Sequence, residues 1–216
     1  MKKQTLFPKI KRVEINKKYQ ITEKLDGSNL GIANISYNLY IIQRNTIIDQ
    51  YELYEQKNLL YKGLYDFIKE HGSELLDAIQ NGTVIFGEWL GMGKIKYNNM
   101  KQFNLFAKAQ IEYNYNFYDG ITTFSIENLD FEVDKLKYAF KNENIPSFIS
   151  LVPTIDNDLE LINKQTLDEL YDKYSESQDR IVEGFVILDE SEPTYVRKYV
   201  RFKNGKLQEH YQGILI

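Results

Sequence analysis

Short segments with the alternation of a β-strand recur along this chain, and they limit its fold more than any other feature. Residues 18–23 and 194–203 alternate polar and apolar side chains, as a half-buried strand does. Other strand-like segments lie at 30–36, 39–44, 83–90, 115–121 and 180–187. Apolar residues recur at helical spacing in 50–70, 132–143 and 158–174. We expect Gly72 to interrupt the first helix and Ser73 to cap a second one that ends at Gln80. The mixture predicts an α+β fold of antiparallel sheets with helices packed outside.

The composition excludes several classes of site. The chain has 216 residues, no cysteine and 2 histidines. Disulfides, zinc–thiolate centres and thiol nucleophiles are therefore excluded, and a Ser-His-Asp triad is disfavoured. A net charge of −4 rules out a strongly basic nucleic-acid coat but leaves room for a local basic groove. The length predicts one domain, and the lack of a signal sequence or of an apolar run long enough to cross a membrane predicts a cytoplasmic protein without membrane contact.

The most reactive segment follows the first strand and runs from Glu23 to Asn29. Lys24 leaves the sheet edge there, and Gly27 permits a tight turn. A lysine amine attacks only in its neutral form, which desolvation and a nearby cation favour. Asp26 is suited to hold magnesium through water. A Lys–Asp surface pair on a glycine turn explains these few residues equally well, so other segments must decide.

Five further motifs follow this Lys24-Leu25-Asp26-Gly27-Ser28-Asn29 segment in order. They are Arg44, Phe86-Gly87-Glu88-Trp89-Leu90, Tyr118-Asp119, Val182-Glu183-Gly184-Phe185-Val186 and Arg201-Phe202-Lys203. From about residue 18 to 206 the chain thereby resembles the covalent nucleotidyltransferases, the superfamily of ATP-dependent nucleic-acid ligases and mRNA capping enzymes. Within it, the chain is most similar to the RNA ligase 2 family of phage-type RNA ligases. The resemblance implies a nucleotidyltransferase (ATP-grasp-like) fold, with residues 1–216 forming the adenylylation domain alone and no C-terminal accessory domain.

The resemblance also implies a chemistry. Lys24 would attack ATP, expel pyrophosphate and carry AMP, which passes to an RNA 5′-phosphate before a 3′-hydroxyl displaces it. The residues implied in contact with ATP or AMP are Glu23, Lys24, Asn29, Arg44, Glu88, Tyr118, Glu183, Arg201 and Lys203. Tyr118 would stack on adenine, Glu23 or its backbone would meet the adenine edge, and Arg201 and Lys203 would neutralise the α-phosphate. Mg²⁺ or Mn²⁺ would be held, through water, by Asp26, Glu88 and Glu183, although Glu88 also suits a ribose hydroxyl.

Two departures from the family pattern leave alternatives open. Arg201 stands where the family usually has lysine, and the chain ends thirteen residues after Lys203, where most relatives continue into a further domain. We therefore expect a minimal ligase, a truncated one, or one that relies on a partner protein. Asn29 stands where DNA ligases and capping enzymes typically have arginine, which favours RNA. A minimal ATP-dependent DNA ligase is the second hypothesis, and a non-sealing relative that binds AMP or RNA is the third.

Simpler structural explanations remain for single residues. Tyr118 suits the core, and Arg44, Glu88 or the Arg201–Lys203 pair suit a polar strand face. A bias toward Lys, Asn, Ile and Tyr indicates an A+T-rich genome, such as that of a phage, a virus or a low-GC bacterium. For a phage or viral enzyme, the expected location becomes the host cytoplasm.

Overall fold

The computed structural model describes residues 19–44, 46–115, 122–155, 159, 162–190, 196–203 and 206–207. Its strands are β1 (Tyr19–Lys24), β2 (Ser28–Ile35), β3 (Asn38–Gln43), β4 (Thr46–Asp49), β5 (Thr83–Trp89), β6 (Phe103–Tyr115), β7 (Thr122–Asp130), β8 (Ile149–Leu151), β9 (Thr154–Ile155), β10 (Gly184–Asp189), β11 (Val196–Val200), β12 (Phe202–Lys203) and β13 (Lys206–Leu207). The α-helices are α1 (Leu64–Ala78) and α2 (Lys164–Glu176). Shorter 3₁₀ turns lie at Lys57–Leu59, Val133–Ala139 and Lys141–Glu143.

These strands form two main sheets. The large sheet has the order β4-β3-β2-β5-β6-β7, with β8 paired to β6, and the small sheet has the order β11-β10-β1-β9. β12 and β13 form a separate hairpin. Neighbouring strands are antiparallel except for β6 and β8, which run parallel. The predicted α+β class with antiparallel sheets is therefore confirmed, with this one parallel pair as a detail that the sequence did not indicate.

Each sheet packs against one helix. The large sheet packs against α1, and the core between them includes Leu64, Leu75 and Trp89, all fully buried. α1 passes through Gly72 as one helix, so the predicted interruption there and the separate helix from Ser73 are wrong. A glycine inside a helix costs only about 1 kcal/mol relative to alanine, and burial of this apolar face outweighs that cost.

The small sheet packs against α2. Its inner face contributes Ile21 and Phe185, which contact Leu167 and Tyr171 of the helix. α2 begins with a capping box. The Asn163 side chain accepts a hydrogen bond from the Thr166 backbone amide, and the Thr166 hydroxyl accepts one from the Asn163 amide, both at 3.0 Å. The cap fixes the start of the helix, which the apolar spacing alone had placed near residue 158.

Two connections hold the sheets together at the point where the chemistry is expected. The segment from β8 to β9 pairs first with β6 of the large sheet and then with β1 of the small sheet. The side-chain amide of Gln20 on β1 donates to the Phe131 carbonyl oxygen and accepts from the Val133 amide, both at 2.8 Å. β1 is thereby tied to the large sheet through the β8–β9 segment and through the residues that follow β7.

The strands rich in branched apolar residues were predicted well. β1, β2, β3, β5, β10 and β11 all overlap predicted strands. β4, β6 and β7 were not predicted, 132–143 forms 3₁₀ turns instead of an α-helix, and most of the predicted strand at 115–121 lies outside the described residues. No helix in the described part of the chain is long and apolar enough to cross a membrane.

Candidate active site

The turn after β1 places Lys24 beside the second sheet. Gly27 lies so close to β5 that a Cβ atom on it would be 2.5 Å from the Trp89 carbonyl oxygen and 2.9 Å from Glu88 Cγ. Only glycine allows this approach. The lysine and the Glu88 carboxyl therefore meet across the boundary between the two sheets.

Asp26 fastens the same turn to the loop that follows β5. Its Oδ2 atom accepts hydrogen bonds from the Lys94 amide at 2.6 Å and the Ile95 amide at 3.0 Å. Its own amide donates to the Tyr97 hydroxyl at 2.7 Å. One carboxylate oxygen of Asp26 thus accepts two backbone hydrogen bonds, and the metal contact that the sequence predicted for Asp26 stays a prediction.

Lys24 forms an ion pair with Glu183. The lysine Nζ lies 2.6 Å from Glu183 Oε1, and Lys24 is the register partner of Gly184, the residue after Glu183. Glu183 Oε2 is buried and has no hydrogen-bond partner among the described residues. Burial raises the pKa of Glu183 above its ordinary value, although the charge of Lys24 opposes the rise. The free oxygen leaves Glu183 with capacity for a proton, a water or a ligand.

Glu88 completes the charged group. Burial raises its pKa to about 7; Lys24 and a hydrogen bond from the Gly27 backbone oppose the rise, and the Glu183 and Asp26 charges add to it. Two carboxyls and one ammonium therefore share a small, partly dry region, and Glu88 changes charge near neutral pH. In the described residues no three His, Asp or Glu side chains form a metal-ligating cluster.

A cavity of about 190 Å³ opens beside this group. Its lining residues are Gln20, Thr22, Glu23, Lys24, Leu25, Glu88, Phe106, Phe131, Val152, Val186, Leu188 and Val196. Most of these side chains are apolar, and the charged ones lie at the Lys24 end. Pockets for whole small molecules usually measure roughly 300–1,000 Å³, so this one has room for part of a ligand such as a planar base.

Sequence reasoning missed Phe106 and Phe131. Their rings are nearly parallel, 6° apart with centroids separated by 6.3 Å. Phe106 lies on β6 at a β-bulge, where Ala107 pairs with Phe86 and Leu105 pairs with Gly87 of β5. The apolar residues at 103 and 105–107 were the available signal for a strand, but the shift of register that positions Phe106 has no such signal. Tyr118 and Asp119, the aromatic-acid pair implied by the resemblance, lie outside the described residues.

Two predicted nucleotide contacts face away from the cavity. The Glu23 carboxylate is fully buried on the α2 side of β1, where it pairs with Arg180 and accepts from the Tyr174 hydroxyl at 2.8 Å. Glu23 therefore lines the cavity without directing its carboxylate into it. Arg201 donates to Asp168 of α2 at 2.8 Å and stacks over the Tyr171 ring at 5.0 Å.

The remaining predicted residues divide between a second cavity and the undescribed part of the chain. Asn29 and Arg44 are exposed and line a polar cavity of about 500 Å³ together with Gly27, Ser28, Gln43 and Tyr61. Tyr61 fixes one wall by donating its hydroxyl to the Asn29 carbonyl oxygen at 3.2 Å. The backbone of Lys203 lies in β12, but its side chain is outside the described residues.

Comparisons with known proteins agree with this arrangement at the level of the family. The family model described as RNA ligase matches residues 17–204, which includes every element from β1 to β12. A search of curated proteins found no match. Because the family model covers most of the chain, the chain belongs to the RNA ligase family.

Proposed function

We propose that this protein is an ATP-dependent RNA ligase that joins 3′-hydroxyl and 5′-phosphate ends through a lysyl-AMP intermediate on Lys24. The observation that carries the proposal is the position of the Lys24 amine, which lies at the charged end of an apolar cavity and within 2.6 Å of a carboxylate. The family match supports ligase activity in general. A nucleotidyltransferase fold is the architecture we propose for it.

Lys24 must lose a proton before it attacks. We propose that Glu183 accepts it, because Oε1 already holds the ammonium and a carboxyl with a raised pKa binds a proton more readily. The Lys24 nitrogen then forms a bond to the α-phosphorus of ATP while the bond to the pyrophosphate oxygen breaks. AMP passes next to an RNA 5′-phosphate, and a 3′-hydroxyl displaces it to form the phosphodiester. These displacements depend mainly on alignment and charge neutralisation.

The cavity supports a proposal for how AMP is oriented. We propose that adenine enters between the apolar side chains, with Phe106 as one stacking face, and that Glu88 accepts from a ribose hydroxyl as the alternative to holding a metal. Stacking of a base on an aromatic ring is worth roughly 1–3 kcal/mol. Tyr118 stays an alternative stacking residue. Recognition of the adenine edge would come from the backbone beside Lys24, because the Glu23 carboxylate is already paired with Arg180.

The phosphate and RNA contacts in this proposal involve the second cavity and the last motif of the chain. Arg44 and Asn29 line the exposed polar cavity next to the Lys24 turn, where an RNA phosphate can approach from solvent. We keep Lys203 as the α-phosphate contact. Arg201 would need to leave Asp168 to reach that phosphate, so its predicted role requires a rearrangement. A partner protein that extends the RNA-binding surface remains part of the proposal.

The site also fits a divalent cation. The buried and unpartnered Oε2 of Glu183, together with the Glu88 carboxyl, would hold hydrated Mg²⁺ or Mn²⁺, with Asp26 contributing at most its less occupied oxygen. A metal there would offset the charge on ATP and its leaving pyrophosphate. Chelation with EDTA should then prevent adenylylation.

Nick sealing tests this function against its alternatives. Duplexes with a nick flanked by an RNA or a DNA 3′-end should be incubated with ATP and Mg²⁺, using Lys24→Ala as the matched control. We expect sealing of RNA ends by the parent and none by Lys24→Ala. Equal or better sealing of DNA ends would favour the minimal DNA ligase. Labelling without any sealing would favour the non-sealing relative.

A further inference from the structure

A second ion pair lies on the opposite face of β1 from Lys24. The guanidinium of Arg180 contacts both carboxylate oxygens of Glu23, with Nη2 to Oε2 at 2.7 Å. The Glu23 side chain has no exposed surface, and that of Arg180 is 14% exposed. The Tyr174 hydroxyl of α2 donates to the same Oε2 atom at 2.8 Å. Both oxygens of the Glu23 carboxylate therefore accept hydrogen bonds on the α2 side of the small sheet.

The contacts continue from Arg180 to the turn that carries Lys24. The Arg180 guanidinium lies over the Tyr97 ring, 5.0 Å from its centroid. The Tyr97 hydroxyl in turn accepts the Asp26 amide at 2.7 Å. The loop around Gly93 is packed so closely on this turn that a Cβ on Gly93 would overlap the Asp26 carbonyl oxygen. One continuous chain of contacts thus runs from α2, through β1, to the loop after β5.

The two ion pairs are neighbours in sequence at both ends. Glu23 precedes Lys24 directly, and Arg180 lies three residues before Glu183. A buried ion pair is expensive to desolvate and is often no more stable than an apolar replacement. What a bidentate Arg–carboxylate pair supplies is fixed geometry, since the planar fork matches only one orientation of the carboxylate. The position of the Glu23–Arg180 pair next to the Lys24–Glu183 pair therefore indicates a role in alignment.

We propose that Glu23 and Arg180 are positioning residues, which, together with Tyr97, hold the Lys24–Glu183 pair in the orientation needed for attack on ATP. This inference rests on the proposed lysyl-AMP function. It replaces an adenine contact by the Glu23 carboxylate with an alignment role exerted from the opposite face of the sheet.

The test separates alignment from nucleotide binding. Single-turnover formation of lysyl-AMP should be measured across ATP concentrations for the parent, Glu23→Gln, Arg180→Met and Arg180→Lys. We expect Glu23→Gln and Arg180→Met to lower the maximal rate by about 10- to 100-fold, as small misplacements of reacting groups do. The half-saturating ATP concentration should change by less than about twofold, since binding is not the affected step. Arg180→Lys, which keeps the charge without the fork, should recover part of the rate.

A matched control is available on the surface. Glu143→Gln removes the carboxylate of an exposed ion pair with Lys137 and should leave the rate unchanged. Since Glu23 and Arg180 act as a unit, the double variant Glu23→Gln/Arg180→Met should be no slower than the slower single variant. If Glu23→Gln fails to fold, Tyr97→Phe, which keeps the ion pair and loses one hydroxyl, should still slow labelling by about two- to tenfold.

Other outcomes overturn the inference. If Glu23→Gln needed a higher ATP concentration for half-saturation and also began to use GTP, the Glu23 carboxylate would be an adenine contact and not a positioning group. If the folded variants formed lysyl-AMP as fast as the parent, the Glu23–Arg180 pair would have only a structural role. The variants concerned are Glu23→Gln, Arg180→Met and Tyr97→Phe. Absence of labelling in the parent itself would instead refute the lysyl-AMP function, so the two failures are distinguishable.

Discussion

Replacement of Glu88 by glutamine should make the stability of this protein less dependent on pH. Burial beside Glu183 raises the Glu88 pKa from 4.5 to about 7. The folded state therefore holds this proton more tightly than the unfolded chain does. The stability that comes with protonated Glu88 is present at low pH and is lost as the pH rises from about 4.5 to about 7.

The magnitude follows from the size of this pKa change. At 1.36 kcal/mol per pH unit, the full loss is about 3 kcal/mol, of which about 2.5 kcal/mol falls between pH 5 and pH 8. Glutamine has nearly the same shape, keeps an oxygen that can accept from the Gly27 amide, and carries no charge at either pH. The Glu88→Gln variant should therefore gain about 2.5 kcal/mol relative to the parent on going from pH 5 to pH 8.

Urea unfolding at the two pH values measures this difference, with EDTA present so that divalent cations do not bind the carboxyls. Groups far from Glu88 titrate alike in both proteins and cancel in the comparison, whereas the charge of Glu183, which acts on Glu88, is part of the measured difference. Glu55→Gln, at an exposed position, should track the parent. Parallel behaviour of Glu88→Gln and the parent between pH 5 and pH 8 would show that Glu88 is not held in the dry, negatively charged environment described above.

The remaining predictions concern two glycines and the stacking face. Gly72→Ala should raise the free energy of unfolding by about 0.5–1 kcal/mol, because α1 is continuous there and the new methyl would meet Ile68 at an ordinary 3.4 Å; thermal melting measures it. Gly93→Ala should cost about 1–3 kcal/mol and slow labelling of Lys24, since the methyl would displace Asp26; denaturant unfolding and labelling rates check both. Phe106→Ala should raise the half-saturating ATP concentration roughly 5- to 150-fold without admitting GTP, and if Tyr118 stacks instead, Tyr118→Ala will show that loss.

The sequence predicted the strands whose pattern is set by β-branched and aromatic residues. β2, β5 and β10 carry such residues on alternate positions or in short runs, so their local preference and their burial agree. β6 was missed because Ala107 and Ala109 in its middle have weak strand preference and acquire their burial only from neighbouring strands. α1 was divided at Gly72 because single-residue preference was weighted above packing, which decides helix length in a folded protein.

The site was predicted in its residue types more than in its geometry. The closeness of Lys24, Glu88 and Glu183 follows from strand ends that the motifs themselves mark. The face on which Glu23 lies does not, since its partner Arg180 is 157 residues away in the chain and only the sheet register brings them together. Arg201 shows the same limit. Its alternation with Lys203 indicated one shared polar face, while Asp168 and Tyr171 of α2 supply a competing site for the guanidinium.

The most direct test of the central claim is to locate AMP on the protein. The purified chain should be incubated with ATP and Mg²⁺, digested under alkaline conditions that preserve a phosphoramidate, and sequenced by tandem mass spectrometry. The account predicts one AMP per chain, attached to Nζ of Lys24 in the peptide that contains Leu25 and Asp26. AMP on a different lysine such as Lys203, or RNA sealing without any covalent AMP, would contradict it.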